Sequence, residues 1–256
     1  MFWRIVMKRR IRLFALGMSA TILITAFSGC KKTVPVTSTV SCPAETTAAA
    51  TEPIEIDAAM QAQMNNYLVP FLYHHFILSD YDMNTSPAEE RIRFTVRYTA
   101  IYLREPVAEH EGGCFKYTLE SISEVCKGFF GVGIDASEAS CLPKFKENYG
   151  KPGQEGAGPW FEDDHFYFEV GGGDEPYYFP VVTSMTKRSD GTIALTYVSY
   201  CWDNFDNDNW DMWITYNEEQ ASKDSELKIH GKGSAVIRPN GDSYHLLKFN
   251  FVPNEE

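Results

Sequence analysis

The sequence lacks the short motifs that identify the best-known hydrolase and zinc chemistries. It contains no G-x-S-x-G, no H-E-x-x-H and no two cysteines separated by two to four residues. A serine nucleophile needs a partner histidine and acid, and structural zinc sites need such closely spaced cysteines. We therefore predict no catalytic residue, no metal site and no cofactor, and we expect a protein that is not an enzyme.

Basic residues are also few. The chain has 23 Lys and Arg against 35 Asp and Glu, a net charge of −12 at pH 7. An acidic surface repels phosphate backbones, so we exclude nucleic acid as a partner. Beyond residue 27 no stretch of eighteen consecutive apolar residues occurs, so we predict no transmembrane helix there.

The N-terminus has the pattern of an export signal. Positions 1–12 hold five basic and no acidic residues, Leu13 to Phe27 are uncharged and mostly apolar, and Ser28-Gly29-Cys30 follows. The cysteine after Ser-Gly resembles the lipobox of bacterial lipoproteins. The resemblance implies that residues 1–29 are removed and that a diacylglycerol on Cys30 anchors the protein to the extracytoplasmic face of the cell membrane. An ordinary cleaved signal or an uncleaved anchor is the alternative.

Removal of residues 1–29 changes the charge and defines the domains. The remainder keeps 18 of the 23 basic residues and all 35 acidic ones, so its net charge is −17. Residues 33–55 are rich in Thr, Ala, Val and Pro and lack aromatic residues, which predicts an extended tether. We therefore predict a lipidated N-terminus and tether over 30–55 and a single domain over 56–256, a length that suits one hydrophobic core.

Five cysteines remain besides the lipobox cysteine, an odd number that cannot all pair within one chain. In an exported protein a disulfide between Cys114 and Cys141 is one interpretation. Small buried thiols are the other, because unpaired cysteine readily enters protein cores. The sequence also leaves open the pairing of Cys42, Cys126 and Cys201.

The first half of the domain is predicted to be helical. Residues 57–78 begin with Asp57 as an N-cap and have apolar residues at near-helical spacing, with Pro70 predicting a kink or two shorter helices. Ser86-Pro87-Ala88-Glu89 has the pattern of an N-cap with a capping box, and so does Ser121-Ile122-Ser123-Glu124.

Two details of this half depend on local pattern. Residues 91–99 alternate polar and apolar as a strand does, but the capping signal and a second, helical spacing favour a helix over 90–104. Gly131 is the predicted stop of the helix that begins near Ser121.

The second half is predicted to be strand-rich. Ser189-Asp190-Gly191 and Asn240-Gly241 are favoured hairpin turns. Strands are predicted at 165–170, 178–186, 192–202, 227–238 and 243–252, with a further one at 210–216. The fold class is therefore α+β, with N-terminal helices packed on one face of a curved, mainly antiparallel sheet formed by the C-terminal half.

Several segments of the first half resemble a group of uncharacterised lipoproteins from Firmicutes. The resemblance rests on Asn66-Tyr67-Leu68, Phe71, residues 88–104 and Val125–Gly131 (VCKGFFG). It implies an extracytoplasmic domain on a tether, with a helical part before a sheet-rich half. It carries over no catalytic residues.

Three groups of polar residues are candidates for chemistry. The acidic and amide residues of 203–211 can be a calcium site or a solvated connection between strands. Asp163 and Asp164 can be a carboxylate pair of the kind glycosidases use. Cys114 or Cys201 can be a nucleophile with His165 or His245 as base, while His74 and His75 point too far apart on a helix to share one ion easily.

Aromatic residues near loops are the main candidates for ligand binding. Aromatic rings combined with amides and carboxylates hold sugars and peptides, although most rings in a sheet fill its core. We take Trp160, Tyr177, Tyr178 and Trp210 as candidate ligand-binding residues and expect Trp160 and Trp210 to be exposed. The expected function is a non-catalytic module that binds a glycan, a peptide or an envelope protein. An extracellular hydrolase acting on cell-wall glycan or peptide, and a structural partner in an envelope assembly, are the alternatives.

Overall fold

The protein was analysed as a computed structural model, which describes residues 51–72, 80–103, 109–111, 114–148, 158–169, 177–202 and 210–254. These residues belong to one compact unit, Ala49–Glu256. The helices are α1 (Ala58–Leu72), α2 (Ala88–Tyr98), α3 (Leu119–Phe130), α4 (Ala136–Ala139), α5 (Phe145–Asn148), α6 (Trp210–Trp213) and α7 (Glu218–Lys223), and a π-helical turn, Thr99–Leu103, continues α2. The strands are β1 (Thr51–Pro53), β2 (Asp80–Asp82), β3 (Glu109–Glu111), β4 (Cys114–Thr118), β5 (Trp160–Glu162), β6 (His165–Phe168), β7 (Tyr177–Arg188), β8 (Ile193–Trp202), β9 (Lys228–Asn240) and β10 (Ser243–Pro253).

The strands form two antiparallel sheets. One has six strands in the order β1-β7-β8-β9-β10-β2, and the other has four in the order β3-β4-β6-β5. The α+β class and the strand-rich second half are thereby confirmed. The expectation of one sheet formed by the C-terminal half is wrong, because β1 to β4 come from the first half and β1 lies within the residues assigned to the tether.

The hairpins and the first helix follow the sequence closely. The β7–β8 and β9–β10 turns place Gly191 and Gly241 at positive φ, as these turns require. Asp57 accepts a hydrogen bond from the Met60 amide at 2.8 Å and so caps α1. Helix α1 contains Pro70 two residues before its last residue, and the predicted helical residues after Leu72 lie outside the described part of the chain.

Residues 88–103 are helical, so the helical interpretation of the ambiguous segment is confirmed. The predicted cap chemistry is wrong, because the Ser86 hydroxyl accepts a hydrogen bond from the Asp82 amide and does not cap α2. The start predicted for α3 at Ser121 is also wrong: Thr118 is the N-cap and accepts from the Ser121 amide at 3.2 Å. Gly131 ends α3 in the left-handed conformation, as predicted.

The six-stranded sheet contributes to two apolar clusters because its side chains alternate between faces. In β8, Leu195 and Tyr197 belong to the main core, and Val198, Tyr200 and Trp202 belong to a second cluster. The main core also contains side chains of α1, α2 and α3. The second cluster is completed by Phe179, Val181, Trp213 and Ala221.

Two buried amides of α1 bind the backbone of β7 directly. Gln61 Nε2 donates to the Val182 carbonyl at 2.9 Å, and Asn65 Oδ1 accepts from the Val182 amide at 2.8 Å. Asn65 Nδ2 also donates to the carbonyls of Ile214 (2.9 Å) and Tyr216 (3.0 Å). We call Gln61, Asn65 and these backbone groups the Asn65 network. Each amide of the network satisfies backbone groups that would otherwise lack partners in a buried region.

The segment after residue 209 is not the predicted strand. It forms α6, and Trp213 is fully buried, with its Nε1 donating to Asp224 Oδ2 at 3.0 Å. The Ile214 and Tyr216 carbonyls accept from Asn65 instead of from a neighbouring strand.

The described cysteines are thiols. Cys114 and Cys126 are buried, Cys141 is exposed and Cys201 is half-buried. Cys114 and Cys126 therefore agree with the interpretation as buried thiols. The alternative, a disulfide between Cys114 and Cys141, is not formed. Burial raises the pKa of the Cys126 thiol to about 11. None of the helices within the described ranges is long and apolar enough to cross a membrane.

Candidate functional site

The four predicted ligand-binding aromatics have different surroundings. Trp160 is 1% exposed and packs against Phe145, so the expectation that it is exposed is wrong. Trp160 follows a Gly-Pro pair, which suggested a loop. The residue instead belongs to strand β5, and its ring lies in a small buried cluster with Cys114 and Tyr167. Tyr178 is half-buried, on the end of β7. The side chains of Tyr177 and Trp210 lie outside the described part of the structure.

Two polar candidates also lie outside the described residues, namely the acidic stretch 203–209 and the histidine pair His74 and His75. Within the ranges that are described, no group of three His, Cys, Asp or Glu side chains is placed to hold a metal ion. His165 and His245 have partners other than cysteine: His165 Nδ1 donates to the Asp163 carbonyl at 2.6 Å, and His245 Nε2 accepts from Asn240 at 2.9 Å.

Asp163 and Asp164 form the two-residue turn between β5 and β6. Both have positive φ, 49° and 58°, as such a hairpin turn requires. The Lys146 ammonium lies 2.9 Å from Asp163 Oδ2, and this hydrogen bond holds the pKa of Asp163 below its usual range. A general acid of a glycosidase needs a raised pKa, so Asp163 has the opposite property.

Tyr178 belongs to a different constellation, which we call the His230 site and define as Tyr178, Ser199, His230 and Phe251. The rings of Tyr178 and His230 stack with centroids 4.1 Å apart and planes at 26°. The His230 ring also packs against Phe251, with centroids 4.9 Å apart. Ser199 Oγ lies 3.4 Å from His230 Nδ1, a weak contact by distance. Three strands on one sheet face therefore surround a single imidazole.

A β-bulge explains why His230 is at this position. Ser199 pairs with Gly231 and the next residue, Tyr200, pairs with Ile229, so His230 is an extra residue without a partner in β8. Bulges redirect side chains and recur beside functional sites. Gly231 leaves room for the neighbouring ring, because a Cβ there would come within 2.7 Å of Phe251. Gly231 and Gly233 thus leave room beside β9 for the rings of Phe251 and Tyr197.

The electrostatics of the His230 site favour a neutral imidazole. Burial lowers the pKa of His230 from its ordinary value, because a charged ring loses hydration there. Tyr178 and His230 are both half-buried, whereas Ser199 and Phe251 are buried. The site therefore combines partly accessible flat rings with an imidazole that can donate one hydrogen bond and accept another. These groups can hold a planar or ring-shaped ligand that has polar edges.

A concave feature lies elsewhere on the same sheet. A shallow hollow of about 310 Å³ is lined by Thr51, Glu52, Lys187, Arg188, Ser189 and Gly191. It lies beside β1 and the β7–β8 turn, with side chains that are mostly exposed, and it contains no aromatic ring.

Tyr178 was predicted as a binding residue from its sequence, but Ser199, His230 and Phe251 were not. His230 lies in the middle of a predicted strand, and its only signal was the Gly-Lys-Gly that follows it. Ser199 and Phe251 come from two other strands, and only the register brings all four residues together.

No protein-family model matches the chain, and neither does a curated protein or a solved structure. The physical character of the His230 site therefore carries the functional argument.

Proposed function

We propose that the protein is a lipoprotein anchored through Cys30 on the extracytoplasmic face of the cell membrane, and that it binds a ligand at the His230 site without transforming it. The observation that carries the binding proposal is the half-buried stack of Tyr178 on a neutral imidazole at 4.1 Å. Cell-wall glycans and peptides, which have flat apolar faces and polar edges, are the ligand class that this site fits best.

The same proposal includes the finer architecture. We infer that the N-terminal helices cover one face of a curved six-stranded sheet. The hydrogen bonds from Gln61 and Asn65 to Val182 support it for α1. The close approach of Gly131, at the end of α3, to the His245 ring of β10 supports it for α3.

Lipid attachment is tested by mass. In a bacterial host that processes lipoproteins, the protein should lose residues 1–29 and gain a mass equal to a diacylglycerol plus any further acyl chain. Cys30→Ser should abolish both changes, and Cys42→Ser, which removes another cysteine of the N-terminal region, should leave them intact. A native protein cut elsewhere and without lipid would overturn the anchoring proposal.

Ligand binding is tested by titrating purified peptidoglycan fragments and oligosaccharides into the lipid-free domain, residues 49–256. Tyr178→Ala should weaken the affinity by about tenfold, because one aromatic contact and its buried area are lost. His230→Ala should have a similar effect. His245→Ala is the matched control, since His245 is also half-buried with a lowered pKa but packs against Gly131.

The outcomes separate the candidate functions. Equal affinity in the Tyr178 and His245 variants would refute the His230 site as the binding site. Cleavage of the fragments, followed by mass spectrometry, would favour the hydrolase alternative. Co-purification of the intact lipoprotein with one envelope protein, unaffected by Tyr178→Ala, would favour the assembly partner.

A further inference from the structure

The direction in which the chain enters the domain is set by β1. Thr51 pairs with Arg188 and Pro53 pairs with Thr186, in antiparallel register. Thr51, the first residue of the strand, therefore lies beside the last residue of β7. The chain therefore enters β1 beside the β7–β8 turn.

Both long hairpins turn at this same end of the sheet. Strands β7 and β9 run towards it, and β8 and β10 run away from it, because all neighbours in the sheet are antiparallel. The turns at 189–192 and 241–242 therefore lie at the same end of the sheet as the point of entry. We call this end, comprising the two turns and Thr51, the entry end.

The His230 site lies at the opposite end. Tyr178 is the second residue of β7, and His230 is the third residue of β9. Ten residues of extended strand separate Tyr178 from Arg188, which corresponds to about 33 Å at 3.3 Å per residue. The domain is thus held at one end of its sheet and presents its candidate binding site at the other.

Charge at the entry end is compatible with a nearby bilayer. The last residues of β7 and β9 add Lys187, Arg188 and Arg238 to this end of the sheet. These three cations balance Glu52, Asp190 and Asp242 of β1 and the two turns. The rest of the chain is strongly acidic. Anionic headgroups repel negative surfaces, so the neutral end meets less repulsion at the membrane than the remainder does.

We infer that the entry end faces the lipid bilayer and that the His230 site is directed away from it, towards the cell wall or the exterior. This inference rests on the proposed lipid anchor at Cys30. The partner of the entry end is the membrane surface itself. The functional consequence is that a ligand reaches the His230 site without competition from the membrane to which the protein is attached.

The test uses the full lipidated protein in vesicles of phosphatidylethanolamine and phosphatidylglycerol. One fluorescent dye is attached at Ser189→Cys or Asp242→Cys at the entry end, or at Ser225→Cys, just before β9 at the other end. Cys42, Cys141 and Cys201 are replaced by serine in all three, and a quencher is attached to the lipid headgroups. Flotation with the vesicles is measured first.

We expect quenching at Ser189 and Asp242 to agree and to exceed quenching at Ser225 by about twofold or more, because of the separation along the strands. Equal or stronger quenching at Ser225 in protein that floats would overturn the orientation and leave the anchor intact. Failure to float would refute the anchor, and the orientation would fall with it. Cys30→Ser protein provides the baseline, with no quenching expected at any position.

Discussion

Strand β7 has two polar regions that differ in how their groups are satisfied. At Val182, the Asn65 network is buried and every amide in it has protein partners at 2.8–3.0 Å. Near Tyr178, four residues away, the rings of Tyr178 and His230 are half-buried and the Ser199–His230 contact is 3.4 Å. Saturated, buried hydrogen bonds stabilise a fold, whereas half-buried flat rings can contact a ligand. The first region therefore contributes to stability, and the second is the one that we propose for binding.

The largest expected effect is on stability at the Asn65 network. Asn65→Leu leaves the Val182 amide and the Ile214 and Tyr216 carbonyls without their partners, and each buried orphan costs about 1–3 kcal/mol. We expect the free energy of unfolding, measured in urea, to fall by about 3–5 kcal/mol. Gln63→Leu, an exposed position on the same helix, should change it by less than about 0.5 kcal/mol. A loss below 1 kcal/mol for Asn65→Leu would contradict the assignment.

The next effect tests whether the sheet near the His230 site is closely packed. A Cβ on Gly233 would lie 2.3 Å from both the Asn250 carbonyl oxygen and the Tyr197 hydroxyl. Gly233→Ala should therefore destabilise the protein by about 1–3 kcal/mol. Gly128→Ala is the control, because nothing lies within 4 Å of a Cβ there and α3 should gain about 0.5–1 kcal/mol. The melting temperature should therefore fall for Gly233→Ala and rise for Gly128→Ala.

A smaller stability change is expected at the binding region itself. Tyr178→Ala removes a half-buried ring, so the free energy of unfolding should fall by about 1–2 kcal/mol. Its neighbour Phe179 is fully buried in the second cluster, and Phe179→Ala should cost about 3–5 kcal/mol. If Tyr178→Ala were as damaging as Phe179→Ala, Tyr178 would be a core residue and the contrast between the two regions would disappear.

The smallest effect is the pH dependence contributed by His230. Its pKa in the folded protein is lowered, so between the folded and unfolded pKa values the unfolded chain binds more protons. The stability contribution is therefore present above the unfolded pKa of about 6.5 and declines as pH falls below it. The pKa of His245 is also lowered, so its contribution to stability declines with falling pH in the same way. His230→Phe should reduce the slope of unfolding free energy between pH 7 and 5, and an unchanged slope would contradict a neutral buried imidazole.

Local features of the fold followed from local sequence. One helix start, one helix end and two turns were predicted correctly, at Asp57, Gly131, Gly191 and Gly241. Each of these features depends on the backbone conformation or the capping side chain of a single residue. The helix at 88–98 was also predictable. The prediction of a strand at 210–216 was wrong because the carbonyls of that segment accept hydrogen bonds from Asn65, a residue about 150 positions earlier.

The candidate site was predictable only in part for the same reason. Tyr178 stood out as an aromatic at the end of a strand, whereas Trp160 was misjudged because its exposure depends on α5 and β6 packing over it. His230 gave almost no signal, since a histidine within a strand has no special pattern. Its orientation depends on a bulge that exists only relative to β8.

By itself, the sequence determined the α+β class, the hairpin turns, the start of α1, the end of α3 and the acidic charge, because these depend on composition and on neighbours a few residues apart. The tertiary structure alone decided that there are two sheets, that Asn65 binds the edge of β7, and that Tyr178, Ser199, His230 and Phe251 meet on one face. The physical reason is that strand register and burial are properties of pairs of segments far apart in the chain, and no single segment encodes its partner.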